Sequence, residues 1–112
     1  MLINKTQLPC PGIKKVSLPF ANIKEAKENI LKISVQCDKP YMWYNVLDKP
    51  EIEFFIIAIS TGYEVPALTL EEYIGTALII NSMFEQHYFI TDNDRLNSCG
   101  IYLENNAPNE PK

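Results

Sequence analysis

The chain is poor in the residues that usually betray a chemistry. It has one histidine (His87), one arginine (Arg95), one tryptophan (Trp43) and four glycines in 112 residues. Any Ser-His or Cys-His relay must therefore use His87, and neither a G-x-S-x-G elbow nor a cysteine-nucleophile signature accompanies it. The glycines (Gly12, Gly62, Gly75, Gly100) stand far apart, which excludes a glycine-rich phosphate loop. Cys10, Cys37 and Cys99 are odd in number and widely spaced, so they read as reduced thiols rather than as a disulfide framework or zinc ligands. Basic charge is scarce too: 10 Lys and Arg against 14 Asp and Glu leave a net charge of −4, and the early lysines alternate with Glu25 and Glu28. A duplex nucleic acid, which demands several cations along its phosphates, is not an expected partner. The longest apolar run, Phe54 to Ile59, falls far short of the roughly 20 residues of a membrane span. Met1 to Lys5 has no apolar signal core, so a cytoplasmic protein without a membrane partner is expected.

What the chain does have is enough apolar residue (46%) against charge (21%) to bury one modest core. Residues 1–12 read as an irregular lead-in, since Pro9 and Pro11 remove backbone donors. Residues 13–90 read as a β-rich domain, and 91–112 as a polar, partly flexible C-terminal segment. Within the domain, strands are expected over 13–18, 30–36, 41–47, 52–59, 76–80 and 83–90. In the second, Leu31, Ile33 and Val35 face inward. The strand over 52–59 is apolar on both faces, so it is either central and covered on both sides or in contact with another subunit. Asn22 with Glu25, and Thr69 with Glu72, have capping-box spacing and predict one or two helical turns, the second stopped at Gly75. Asp38-Lys39-Pro40, Asp48-Lys49-Pro50, Thr61-Gly62 and Asn81-Ser82 are turn chemistry. Ile101-Tyr102-Leu103 is apolar enough to dock as an edge strand. The fold class is mainly β, a small antiparallel sandwich or half-barrel with one or two helical turns.

Candidate chemistry is thin. His87 lies on a strand face with Met83, Glu85 and Phe89, and an acid such as Glu85 or Asp92 is near it in sequence. Asp92-Asn93-Asp94 opens like a calcium loop but lacks the later ligand and the turn glycine. Neither a metal nor another cofactor is indicated, and no catalytic residue is assigned. Thr61-Gly62 and Gly75-Thr76 can present N–H groups and hydroxyls to a small anion, or act simply as turns. Tyr41, Trp43 and Asn45 alternate on one strand face with Met42 and Tyr44 on the other, and Tyr63 and Tyr73 flank the two glycine turns. Such aromatics serve core, subunit interface or stacking on a flat ligand, and Trp43 reads first as core or interface.

Read in order, Val35-Gln36, Pro40, Trp43, Thr61-Gly62, Tyr73-Ile74-Gly75-Thr76 and His87-x-Phe89 make a pattern. It resembles a family of short, mostly phage-encoded proteins known only as a domain of unknown function, over about Ile13 to Phe89. Gln86 departs from it, standing where an aromatic is usual, and so does the tail beyond Ile90. The resemblance implies a phage setting and a protein that acts by binding, usually as a symmetric homo-oligomer. The expected function is a non-enzymatic counter-defence factor that sequesters a host nucleotide signal or docks on a host defence protein. Its candidate ligand-binding residues are Trp43, Thr61, Gly62, Tyr73, Gly75, Thr76, His87 and Arg95. The alternatives are a small nucleotide hydrolase built on His87 and an accessory phage protein with no ligand.

Overall fold

Alternating apolar and polar residues, punctuated by Pro, Gly and Asp, lay down short strands rather than helices along most of the chain. A computed structural model describes residues 1–64, 67–79 and 84–98. In chain order these form β1 (Leu2–Gln7), β2 (Gly12–Leu18), α1 (Ile23–Asn29), β3 (Ile30–Gln36), β4 (Lys39–Val46), β5 (Ile52–Ser60), β6 (Tyr73–Ile79), β7 (Phe84–Thr91) and α2 (Asn93–Ser98). Two antiparallel sheets result, one ordered β1-β4-β3 and the other β2-β5-β7-β6. The fold is mainly β with two short helices, the antiparallel sandwich that the residue pattern predicts.

The inner faces of both sheets supply the core. Met42 and Tyr44 from β4 meet Phe54, Ile56 and Ala58 from β5 and Tyr88 and Ile90 from β7. Phe20 bridges the layers, its ring 5.9 Å from Tyr44 and 6.5 Å from Phe54, both tilted away from parallel as aromatic quadrupoles prefer. A second cluster lies on the outer face of β5, where Phe55, Ile57 and Ile59 pack with Phe89 and with Leu96 of α2. That cluster explains why β5 is apolar on both faces: it is a central strand, and the chain's own α2 covers it. No helix among the described residues is long and apolar enough to cross a membrane.

Several local expectations are corrected. The lead-in is not irregular: Leu2–Gln7 pairs with β4 from Leu2↔Val46 to Gln7↔Tyr41, and Leu8 reaches the core. Its inward positions beside Met42 and Tyr44 are the polar Thr6 and Asn4, so the alternation that announces a strand is missing. Leu31 points outward, because a register shift between Ile30 and Lys32 turns Ile30 to the core instead. The turn before β4 is centred on Cys37-Asp38, both with positive φ (53° and 64°), as a two-residue hairpin joining Gln36↔Lys39 requires. Lys39 and Pro40 already belong to the strand. Residues 69–72 form a hydrogen-bonded turn, not a helix, and Gly75 lies inside β6 at a bulge rather than ending a helix. Thr91 ends β7, and the polar segment after it begins with a helix.

Other expectations hold with their reasons visible. Asn22 Oδ1 accepts from the Glu25 N–H at 2.8 Å while Glu25 Oε1 accepts from the Ala21 N–H, so the capping box starts α1. Asp92 Oδ1 accepts from the Arg95 N–H at 2.9 Å and caps α2, a helix that the sequence reading does not anticipate. The Asn81-Ser82 hairpin, the 101–103 edge strand and Cys99 lie outside the described residues.

Candidate functional site

The second sheet brings together motifs that are far apart in sequence. Antiparallel pairing sets Thr76 of β6 opposite His87 of β7, and His87 opposite Ile59 of β5, where the chain turns at Thr61-Gly62. The imidazole is held at both nitrogens: Nε2 lies 2.6 Å from Thr61 Oγ1 and Nδ1 lies 3.1 Å from Thr76 Oγ1. Thr76 Oγ1 also bonds the Tyr73 phenol. Thr61 Oγ1 sits 3.4 Å from the Glu85 carbonyl oxygen, which can only accept. With the Thr61 hydroxyl donating to that carbonyl and the imidazole neutral, the hydrogen bonds run in one direction. Tyr73 donates to Thr76, Thr76 donates to Nδ1, Nε2–H donates to Thr61, and Thr61 donates to Glu85.

Beside this line of hydroxyls lies an open recess of about 350 Å³. Ile59, Phe89 and Leu70 form its apolar wall, Gly62 and Tyr63 one rim, and Tyr73 and His87 its polar edge. Tyr73 is braced by an edge-on contact with Phe89, ring centroids 5.4 Å apart. Gly62 takes φ +94°, a conformation that closes the turn without a side chain over the mouth. Gly75 serves differently: at φ +148° it lets β6 pass so close to β3 that an added Cβ would lie 3.0 Å from Ile33 Cδ1. It supports the site from behind and does not line it.

Two of the candidate residues lie elsewhere. Trp43 is on the outer face of the other sheet, beside Tyr41 and under the ammonium groups of Lys5 and Lys32. It is half-buried, and Met42 and Tyr44 take the core positions on that strand. Arg95 lines a separate groove of about 690 Å³ between α1 and the 69–72 turn, with Lys24, Lys27 and Glu71. There its guanidinium grips Glu72, with Nε and Nη2 each on one carboxylate oxygen.

Glu72 is the residue that sequence reasoning undervalued. Its capping-box bond to the Thr69 N–H forms at 3.0 Å, but the carboxylate also accepts from Thr91 Oγ1 at 2.8 Å and from Arg95. Burial opposes its charge and would raise its pKa. The bonds from Arg95, Thr91 and Thr69 outweigh burial and hold the carboxyl at about 2. Only the Thr69–Glu72 spacing was visible locally.

Chemically, the His87 site is a line of hydroxyls and one imidazole beside an apolar hollow. Its two ring nitrogens are occupied by hydroxyls and neither by a carboxylate, so the base–orienter pair of a hydrolytic relay is missing from it. Glu85 contributes its backbone carbonyl, and Asp92 caps α2. Among the described residues no three His, Cys, Asp or Glu side chains gather as a metal site would need. Gln86, the departure from the resembled pattern, points into the core, donates its amide to Ser60 Oγ at 2.8 Å and leaves Oε1 without a partner among the described residues.

The fold and site thus define a small two-sheet β protein with a polar-edged surface recess. Comparison with protein-family models, with curated proteins and with solved structures gives no match to any of them.

Proposed function

We propose that this protein is a non-enzymatic binding module that takes a small, flat ligand of the nucleotide class in the His87 recess. The observation that carries the reading is the hydrogen-bonded line Tyr73–Thr76–His87–Thr61 along an apolar hollow. The recess falls at the lower end of the volumes that hold small ligands, with few polar groups on an otherwise apolar wall. A nucleobase suits it, with one face on Phe89 and Tyr73 and one polar edge toward the hydroxyls. The phage-type setting carried by the sequence pattern makes sequestration of a host nucleotide signal the corresponding biological role. A homo-oligomer is part of this proposal: β1 has an unpaired side among the described strands, and Leu2 and Ile3 are exposed there.

Calorimetric titration of the purified protein with AMP, GMP, CMP and UMP tests the reading. At least one is expected to bind, with the affinity of His87→Ala or Tyr73→Phe reduced about tenfold, roughly the worth of one lost hydrogen bond. Absence of heat and of thermal stabilisation with every nucleotide at millimolar concentration overturns it. Turnover of a nucleotide that His87→Ala abolishes would replace it with the hydrolase reading.

A further inference from the structure

Acidic residues outnumber basic ones along the chain, but not in the β1-β4-β3 sheet. Its three strands hold Lys5, Lys32 and Lys39 and no aspartate or glutamate. The pairing places all three lysines on the outward face: Lys5 and Lys32 are both opposite Trp43, and Lys39 is opposite Gln36. Inward residues, Met42 and Tyr44 among them, take the alternate positions. The same outward face carries Tyr41 and Trp43 side by side, ring centroids 6.0 Å apart. Lys32 Nζ rests 4.8 Å from the Trp43 ring centroid, and Lys5 Nζ is 4.7 Å from that of Tyr41 and 5.8 Å from that of Trp43.

Local positive charge interleaved with half-exposed rings on a sheet face is the arrangement that holds single-stranded nucleic acid. From this juxtaposition we infer that the outer face of the β1-β4-β3 sheet binds a short single strand of DNA or RNA, with bases on Tyr41 and Trp43 and phosphates on Lys5, Lys32 and Lys39. The ammonium groups now over the rings occupy the places that bases would take. They swing a few ångströms to meet phosphate oxygens, exchanging a cation–π contact for an ion pair. At 6.0 Å the rings are too far apart for their two bases to stay stacked on each other. The site therefore selects an unstacked strand, not a duplex whose bases are paired and stacked. The site is separate from the His87 recess, so either can fail without the other.

Trp43 is the chain's one tryptophan, and its emission reports directly on this face. Titrating the full chain with oligo(dT) of ten nucleotides at low salt is expected to quench that emission. Anisotropy of a labelled oligo(dT) should give an affinity that falls with salt at a log–log slope of about −2, as three phosphate contacts on a single strand require. Trp43→Ala is expected to lower that affinity roughly tenfold and Trp43→Phe to restore most of it, since base stacking needs only a ring. Lys5→Gln with Lys32→Gln should flatten the slope, whereas Lys15→Gln, the same kind of charge loss on the other sheet, should change it little. The inference is overturned by an unchanged Trp43 emission, by equal binding of a duplex, or by equal displacement with poly-glutamate, which would make the face a general polyanion or acidic-peptide surface.

Discussion

Glu72 and Arg95, from the turn before β6 and from α2, close a two-point ion pair in which Nη2 lies 2.8 Å from Oε1 and Nε 3.1 Å from Oε2. The two side chains differ in exposure, 4% for Glu72 and 37% for Arg95. The pair fastens α2 over β5 and joins it to the turn from which Tyr73 enters the recess.

Removing the arginine is therefore worse than removing both partners. Arg95→Ala leaves a buried carboxylate with only Thr91 and Thr69 as donors, and is expected to cost about 3 kcal/mol, the low end for a broken buried pair. Arg95→Met combined with Glu72→Leu should recover most of that loss, because no charge then needs compensation. Urea midpoints of the three proteins decide the matter. A loss below about 1 kcal/mol for Arg95→Ala would mean that the pair behaves as an ordinary surface contact.

The same carboxylate predicts an acid limb in stability. Its folded pKa of about 2 lies below the roughly 4.3 of a free glutamate, so folding favours the charged form. The contribution is complete above about pH 5 and is lost as pH falls from there through about 2, on the order of 3 kcal/mol in all. Urea midpoints measured between pH 6 and pH 2 should fall in the parent and fall distinctly less in Glu72→Gln. Parallel curves would assign the acid limb to other carboxylates.

The contrast between what the sequence displays and what it conceals runs along contact distance. Local patterns were legible: the Asn22 cap, the two-faced β5 and the shared face of His87 and Phe89 all appear as residue spacing within one element. The hydroxyls around His87 were legible as motifs, but only strand register shows that Thr61 and Thr76 belong to the same ring. Glu72 shows only a local cap in the sequence because its partner Arg95 stands 23 residues away with no periodicity connecting them. Nothing in the sequence separates Trp43 and Arg95 from the His87 residues, and the sheet topology places the three apart. β1 was concealed because its inward Asn4 and Thr6 are polar, and Leu31 because a bulge shifts the alternation by one residue.

Gly75 joins the two sheets through Ile33. An alanine there meets two penalties, φ +148° and a Cβ placed 3.0 Å from Ile33 Cδ1. At Gly62, φ +94° is also strained for alanine but nothing lies within 4 Å. Gly75→Ala should thus destabilise by about 2–3 kcal/mol and Gly62→Ala by about 1–2 kcal/mol. Ile33→Val, which deletes Cδ1, should relieve part of the Gly75→Ala loss in a double-mutant cycle. Strict additivity of the two changes would show that backbone strain alone accounts for it.

Gln86 offers a gain. Its buried Oε1 has no donor among the described residues, and Ser60 is the residue its amide serves. Replacing both polar partners, as Gln86→Leu with Ser60→Ala, is expected to raise stability by about 1 kcal/mol, read as a higher thermal midpoint. Gln86→Leu alone should gain less, since it strands the Ser60 hydroxyl. A lower midpoint for the double variant would mean that the amide's shape or its one bond outweighs the unpaired oxygen.

The tautomer of His87 sets the direction of the hydrogen-bond line. If the Thr61 hydroxyl gives its proton to the Glu85 carbonyl, Thr61 accepts from Nε2 and Nδ1 accepts from Thr76. Long-range ¹⁵N–¹H correlation spectra at pH 7.5 should show the proton on Nε2. Thr61→Val removes that proton's acceptor and should mix the tautomers, while Thr76→Val should leave Nδ1 without its donor and perturb that nitrogen alone. With the line running inward from Tyr73, the phenol spends its proton on Thr76 and faces the recess as an acceptor. The ligand is then expected to offer an N–H or O–H at that point, as the exocyclic amine of adenine, guanine or cytosine does. Protonation of Nδ1 instead would reverse the line, make Tyr73 the donor, and shift the preference toward a carbonyl-bearing base such as uracil.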